Sequence, residues 1–193
     1  MTNQETEFNG SPGRSRGLLA MDLLEGCASA EEAKVVLTDP SVRPAYRRGN
    51  FLLADAKEAW NVVWDRETWA HPLGLGGHVV TTLSIAPGVE WTERAEKLWV
   101  NVEKRRIRAL ELLEKPHSNE IDAVIGELKT WSRDHGQGME QGSICYHDPS
   151  GKNAETSATI IAVGDKLENS RILYCPGNPC VGEYQDYTGI LAR

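Results

Sequence analysis

Between Ser15 and Gly26 the apolar residues Leu18, Leu19, Met21, Leu23 and Leu24 recur at helical spacing, and the pattern predicts a helix. Ser29 followed by Glu32 is a Ser-x-x-Glu capping box, which predicts a second helix through Val35, Val36 and Leu37. Asp39-Pro40 ends it, because the residue before a proline is pushed out of the helical region. The period then shortens. Asn50 to Asp55 and Ala59 to Trp64 read as β-strands joined by the tight connection Ala56-Lys57-Glu58, and His78 to Ser84 reads as a third strand after the turn signal Gly74 to Gly77. Helical periodicity returns from Thr92 to about Glu114, stopped at Lys115-Pro116, and again from Ser118 to about His135. Three further strands are expected at Ser143 to His147, Thr156 to Val163 and Arg171 to Cys175, with a Pro- and Gly-containing tail from Pro176 to Tyr187.

The resulting order is two helices, three strands, two helices and three strands, an α+β pattern. Two antiparallel sheets packed face to face, each covered outside by helices, would bury every apolar stripe; this is an αββα four-layer sandwich. A single sheet with helices on one face is the competing arrangement, and the pattern alone does not separate the two.

Composition narrows the class. The 193 residues fit one domain, 1–193, with enough material for a sizeable core. A net charge of −7 argues against a nucleic-acid partner, since such proteins usually present a basic face. The local basic strip Lys104, Arg105, Arg106, Arg108 is interleaved with Glu103 and Glu111, the pattern of a solvated helix face. No apolar run approaches the length of a membrane span, and the polar stretch Met1 to Arg16 is not a secretory signal. Cys27, Cys145, Cys175 and Cys180 are too few and scattered for a disulfide scaffold, so a cytoplasmic protein with reduced thiols is expected.

Several local motifs, taken in order, carry a family resemblance. They are Arg14-Ser15-Arg16-Gly17-Leu18-Leu19, Asn50-Phe51-Leu52-Leu53-Ala54-Asp55, His78-Val79-Val80-Thr81, Ser143-Ile144-Cys145-Tyr146-His147, the strand start Thr156 to Thr159, and Pro176-Gly177-Asn178-Pro179-Cys180. From about Thr2 to Tyr187 the chain resembles the NRDE proteins, also called the transport and Golgi organisation family. It also looks like the penicillin acyltransferase and carcinine hydrolase relatives within the N-terminal-nucleophile (Ntn) hydrolase-like superfamily. The resemblance implies an Ntn-type αββα sandwich and a C–N amide hydrolase or acyltransferase. Such enzymes use an N-terminal Cys, Ser or Thr whose own α-amine is the general base, with backbone and Asn donors for the oxyanion. Relatives begin with a nucleophile strand several dozen residues ahead of the Arg-Ser-Arg-Gly helix. No cysteine precedes that helix here, so the domain is expected to be N-terminally incomplete and inactive as an isolated chain. Open sheet edges would then make it poorly soluble or oligomeric unless a complementing N-terminal segment is supplied.

The candidate catalytic residues that follow are Thr2, as a nucleophile after removal of Met1, and Asn3, as an oxyanion donor. The candidate substrate-binding residues are Thr81, Thr82 and His78. Relatives carry Thr-Asn where Thr81-Thr82 stands, and a hydroxyl is a poorer match than an amide donor, which weakens that role. Nor does Thr156-Ser157-Ala158-Thr159 supply the arginine some relatives place there. Members of the transport and Golgi organisation branch are linked to membrane traffic and haem handling, so a non-catalytic protein binding a hydrophobic ligand is the alternative. Trp60, Trp64 and Trp69 would line its pocket, or simply fill core and lid volume. Cys145, His147, Cys175 and Cys180 are donor types that suit tetrahedral zinc. Their spacing lacks the usual paired cysteine knuckles, so they read as small buried hydrophobes, and neither metal nor cofactor is expected. His71 and His78 flank a glycine-rich turn that lacks the Lys and helix of a phosphate loop.

Overall fold

The computed structural model describes residues 14–42, 46, 49–64, 68–81, 93–115, 117–118, 120–136, 138, 142–147, 157–164 and 166–192. The chain is α+β and divides into two compact units, Met1–Val102 and Glu103–Arg193.

In the first unit, helix α1 (Arg16–Gly26) starts where the Ser15 hydroxyl accepts from the Leu18 amide at 3.3 Å. It buries Leu19 and Leu23 while Leu18, Met21 and Leu24 face outward. Helix α2 (Ala30–Thr38) is capped by Ser29, whose hydroxyl accepts from the Glu32 amide at 3.1 Å. Glu32 in return accepts from the Ala28 amide at 2.7 Å, one residue further back than a strict capping box reaches. Strands β1 (Gly49–Ala54) and β2 (Ala59–Trp64) form an antiparallel hairpin with Phe51 opposite Val62. The Asp55 carboxylate accepts from the Lys57 and Glu58 amides across the turn, at 2.7 and 3.0 Å, and from Ala30 at the start of α2, at 2.8 Å. Strand β3 (Thr68–Leu73) completes a sheet of order β1-β2-β3. Helix α2 packs across all three strands, and Leu19, Leu23, Ala33, Leu37, Phe51, Val62 and Trp64 form the buried cluster.

The third strand thus lies earlier than the residue pattern placed it. Thr68–Leu73 contains Pro72, which argues against a central strand but is admitted on a sheet edge. His78 to Thr81, expected to be a strand, has no strand structure, and Ser84 lies outside the described residues. The Thr81 carbonyl is instead taken by the side-chain amide of the buried Asn50, at 3.0 Å.

The second unit holds the C-terminal part of α3 (Glu93–Leu113), then α4 (Ile121–Ser132). Strands β4 (Ser157–Ala162), β5 (Arg171–Pro176) and the short β6 (Gln185–Asp186) form an antiparallel sheet in that order. Helix α4 lies on β4, and its Ile125 packs with Ile160 and Leu173. The strand expected at Ser143 to His147 is absent; the segment is bent. It follows Gly142, whose φ of 96° lies in the left-handed region that favours glycine. Three of its polar groups are engaged by turns and side chains: the Cys145 amide donates to the Asp134 carbonyl at 3.1 Å, the Ile144 carbonyl accepts from Arg105 at 3.0 Å, and the Ser143 hydroxyl donates to the Gly138 carbonyl.

Candidate functional site

Of the residues singled out by sequence, Thr2, Asn3 and Thr82 lie outside the described residues. Thr81 is half-buried and its carbonyl holds Asn50. His78 is exposed, with Nε2 donating to the Gly74 carbonyl at 2.7 Å, a contact that closes the glycine-rich turn.

Two other places are built to receive something. In the first unit a cavity of about 370 Å³ opens between α1, the start of α2 and β1, lined mostly by apolar groups that include Leu23, Leu24, Cys27, Ala33, Phe51 and Leu53. In the second unit two thiols and two imidazoles converge. One ligand atom from each of His135, Cys145, His147 and Cys180 lies within 4.8 Å of the other three. His147 Nε2 stands 3.3 Å from His135 Nε2, 3.3 Å from Cys180 Sγ and 3.6 Å from Cys145 Sγ. Cys145 is fully buried and the other three are half-buried.

These donors come from three segments that are stitched together by other bonds. His135 follows the end of α4, and its neighbour Asp134 is gripped by Arg108 from α3 through two contacts of 2.7 and 3.0 Å. That guanidinium holds the Asp134 carboxyl below the usual carboxylate range, against the opposing effect of burial. Arg133 donates to the Pro179 and Gly182 carbonyls, at 2.9 and 3.3 Å, fixing the loop that carries Cys180 against the α4 terminus. Tyr184 donates to Ser132 at 2.7 Å across the same gap, and burial raises its pKa above the ordinary phenol value. Asn178 places its side-chain amide against the ring of His147, 3.1 Å from Nδ1 and 3.4 Å from Nε2.

Glycine makes the Cys180 loop possible. A Cβ on Gly182 would lie 2.6 Å from Cys175 Sγ and 2.9 Å from the Pro176 carbonyl oxygen, and Gly177 has φ 77°. Cys175, grouped with the other donors by sequence, is buried beside this turn, and His135 takes the fourth place in the cluster. His135 was missed because it lies in a different segment, after α4, and no spacing motif connects it to Cys145 or Cys180.

No protein-family model, curated protein or solved structure matches the chain. Among the described residues no helix is long and apolar enough to cross a membrane.

Proposed function

We propose that this chain is an Ntn-type protein of the NRDE family that acts on a C–N amide bond, as a hydrolase or acyltransferase, with its two sheets as the inner layers of an αββα sandwich. Residue alternation within each sheet supports the layering. Phe51, Val62 and Ala70 stand side by side on the helix-covered face of the first sheet, so Asn50, Val63 and Trp69 share the other face with Leu52 and Asn61. In the second sheet Ile160 and Leu173 face α4, which leaves Ile161, Ile172 and Tyr174 opposite. Ile161 is 63% exposed and Leu52 is 55% exposed. A sheet with apolar residues on both faces calls for a layer on each side.

The observation that carries the amide reading is on the second face of the first sheet. Asn50 and Asn61 each have a buried Oδ1 without a hydrogen-bond partner among the described residues. Leaving such an oxygen unpaired costs about 1–3 kcal/mol, which a ligand N–H would relieve. Asn50 is already oriented, because its Nδ2 is held by the Thr81 carbonyl. Ligand-observed NMR with simple carboxamides and N-acetylated amines, together with an assay of amine release, tests this. Saturable binding is expected, weakened about tenfold by Asn50→Ala or Asn61→Ala, the equivalent of one lost hydrogen bond. No saturable binding, or binding indifferent to both changes, refutes it.

A second reading, a protein that carries a hydrophobic ligand, is favoured by the cavity under α1. Its volume of about 370 Å³ falls in the range of small-molecule sites and its lining is mainly apolar. Titration with haem and with an apolar fluorophore tests it: saturable binding abolished by Ala20→Trp, which fills the cavity, is the expected result. An unchanged signal in that variant removes the reading.

A further inference from the structure

The geometry points to a zinc ion held by His135, Cys145, His147 and Cys180, a closed structural metal centre in the second unit that is separate from the amide chemistry proposed above. Donor type and number agree with it, since zinc in structural sites takes four Cys and His ligands in a tetrahedron. Zinc–nitrogen bonds of about 2.0–2.1 Å and zinc–sulfur bonds of about 2.3 Å fix the edges of that tetrahedron at about 3.3–3.4 Å between two nitrogens and about 3.6 Å between nitrogen and sulfur. The His135–His147 nitrogen separation is 3.3 Å, and Cys145 and Cys180 lie 3.6 and 3.3 Å from His147 Nε2. The three edges at His147 Nε2 thus match or approach those of a zinc tetrahedron, and all four donor atoms lie within 4.8 Å of one another.

Hydrogen bonding alone does not account for the arrangement. A ring nitrogen has either one lone pair or one proton. Around His147 Nε2 stand another imidazole nitrogen, two thiols and, at 3.4 Å, the Asn178 amide. One nitrogen cannot serve four such partners, whereas one cation at their centre satisfies two thiolates and two imidazoles together. The Asn178 side-chain amide, 3.1 Å from Nδ1 and 3.4 Å from Nε2, packs against the ring of His147 and does not lie in line with either ring nitrogen.

The surroundings make the site a staple rather than an active centre. Four protein ligands leave no open position for water or substrate. The joined segments are the end of α4, the bent stretch 142–147 and the loop after β5, held to each other by side chains and turns rather than by a ladder. Among the described residues the buried cluster of the same unit is Ile125, Ile160 and Leu173, a small apolar base that gains from a cross-link of this kind.

The full chain, purified under reducing conditions, stripped with a chelator and titrated with Co²⁺, tests the proposal. One ion per chain is expected, with strong visible absorption of tetrahedral cobalt and a thiolate-to-metal charge-transfer band, both displaced by Zn²⁺. Cys145→Ser with Cys180→Ser should abolish the charge-transfer band, whereas Cys27→Ser, in the other unit, should leave stoichiometry and spectrum unchanged. X-ray absorption at the zinc edge of the unaltered protein keeps the proposal falsifiable should the variants misfold: two sulfurs at about 2.3 Å and two nitrogens at about 2.0–2.1 Å are expected. A weak octahedral cobalt spectrum or a zinc shell without sulfur would overturn it.

Discussion

Trp64 closes β2 with 1% of its surface exposed, packed against Phe51 at 5.8 Å and Tyr46 at 6.5 Å between ring centroids. Its indole Nε1 is buried with no acceptor among the described residues. Replacement by phenylalanine sets two effects against each other. The smaller ring gives up about two buried carbons, a transfer loss of about 1.6 kcal/mol. A residual cavity of roughly 40 Å³ adds about 1 kcal/mol at ~24 cal/mol per Å³. Removing the stranded N–H recovers about 1–3 kcal/mol. Trp64→Phe should therefore change stability by between a loss of about 1.6 and a gain of about 0.4 kcal/mol, despite near-complete burial. Trp64→Ala has no comparable compensation and should cost about 3–5 kcal/mol, and Leu37→Ala, at a fully buried position with no polar atom, about 2–5 kcal/mol. Urea unfolding followed by far-ultraviolet circular dichroism, which does not depend on the altered fluorophore, compares the three midpoints at constant slope. A loss of 3 kcal/mol or more for Trp64→Phe would refute the reasoning, because it would mean that the indole N–H makes a bond worth keeping.

Three other outcomes are expected. Backbone bonds from Ala30, Lys57 and Glu58 lower the Asp55 pKa from 3.8, so its contribution is full above about pH 4 and is lost as pH falls through the lower folded value; an NMR-titrated pKa at or above 3.8 would contradict this. His117, bonded first to the Leu113 carbonyl and then to Glu127, has its pKa raised from 6.5, so its contribution is full below about pH 6.5 and is lost as pH rises through the higher folded value; ring-proton titration should give a midpoint above 6.5, and one below it would be inconsistent with these bonds. Gly182→Ala drives a Cβ into Cys175 Sγ and the Pro176 carbonyl, and should cost about 1–3 kcal/mol; an unchanged melting temperature would show that the turn relaxes.

Where apolar periodicity and end signals coincide, the fold was legible. Ser15 and Ser29 cap α1 and α2 where the pattern started them, and the Asp55 turn joins β1 and β2 in the expected meander. The pattern failed where backbone bonding is decided by residues far away. His78 to Thr81 and Ser143 to His147 have the β-branched and aromatic content of strands, yet the Thr81 and Ile144 carbonyls go to the Asn50 and Arg105 side chains. Conversely Thr68–Leu73 is a strand that the residue pattern does not pick out, and its Pro72 is admitted at an edge that only the sheet order reveals.

The metal centre shows the same division more sharply. Zinc spacing rules describe knuckles in which one turn presents two ligands, so the chain itself supplies the proximity. Here the only local pair is Cys145-x-His147, and the other two donors arrive through packing. Arg108 pins Asp134 beside His135, and Arg133 pins Pro179 beside Cys180. Neither arginine is a ligand, and neither stands out in a sequence where Lys104 to Arg108 reads as a solvated basic strip. Yet Arg108 and Arg133 carry information that spacing lacks: Arg108 fixes the end of α4 to α3 and Arg133 fixes the Cys180 loop to that end, while the Cys145 amide and Arg105 hold the 142–147 stretch. A site assembled in this way is set by its frame, and is visible only once the frame is.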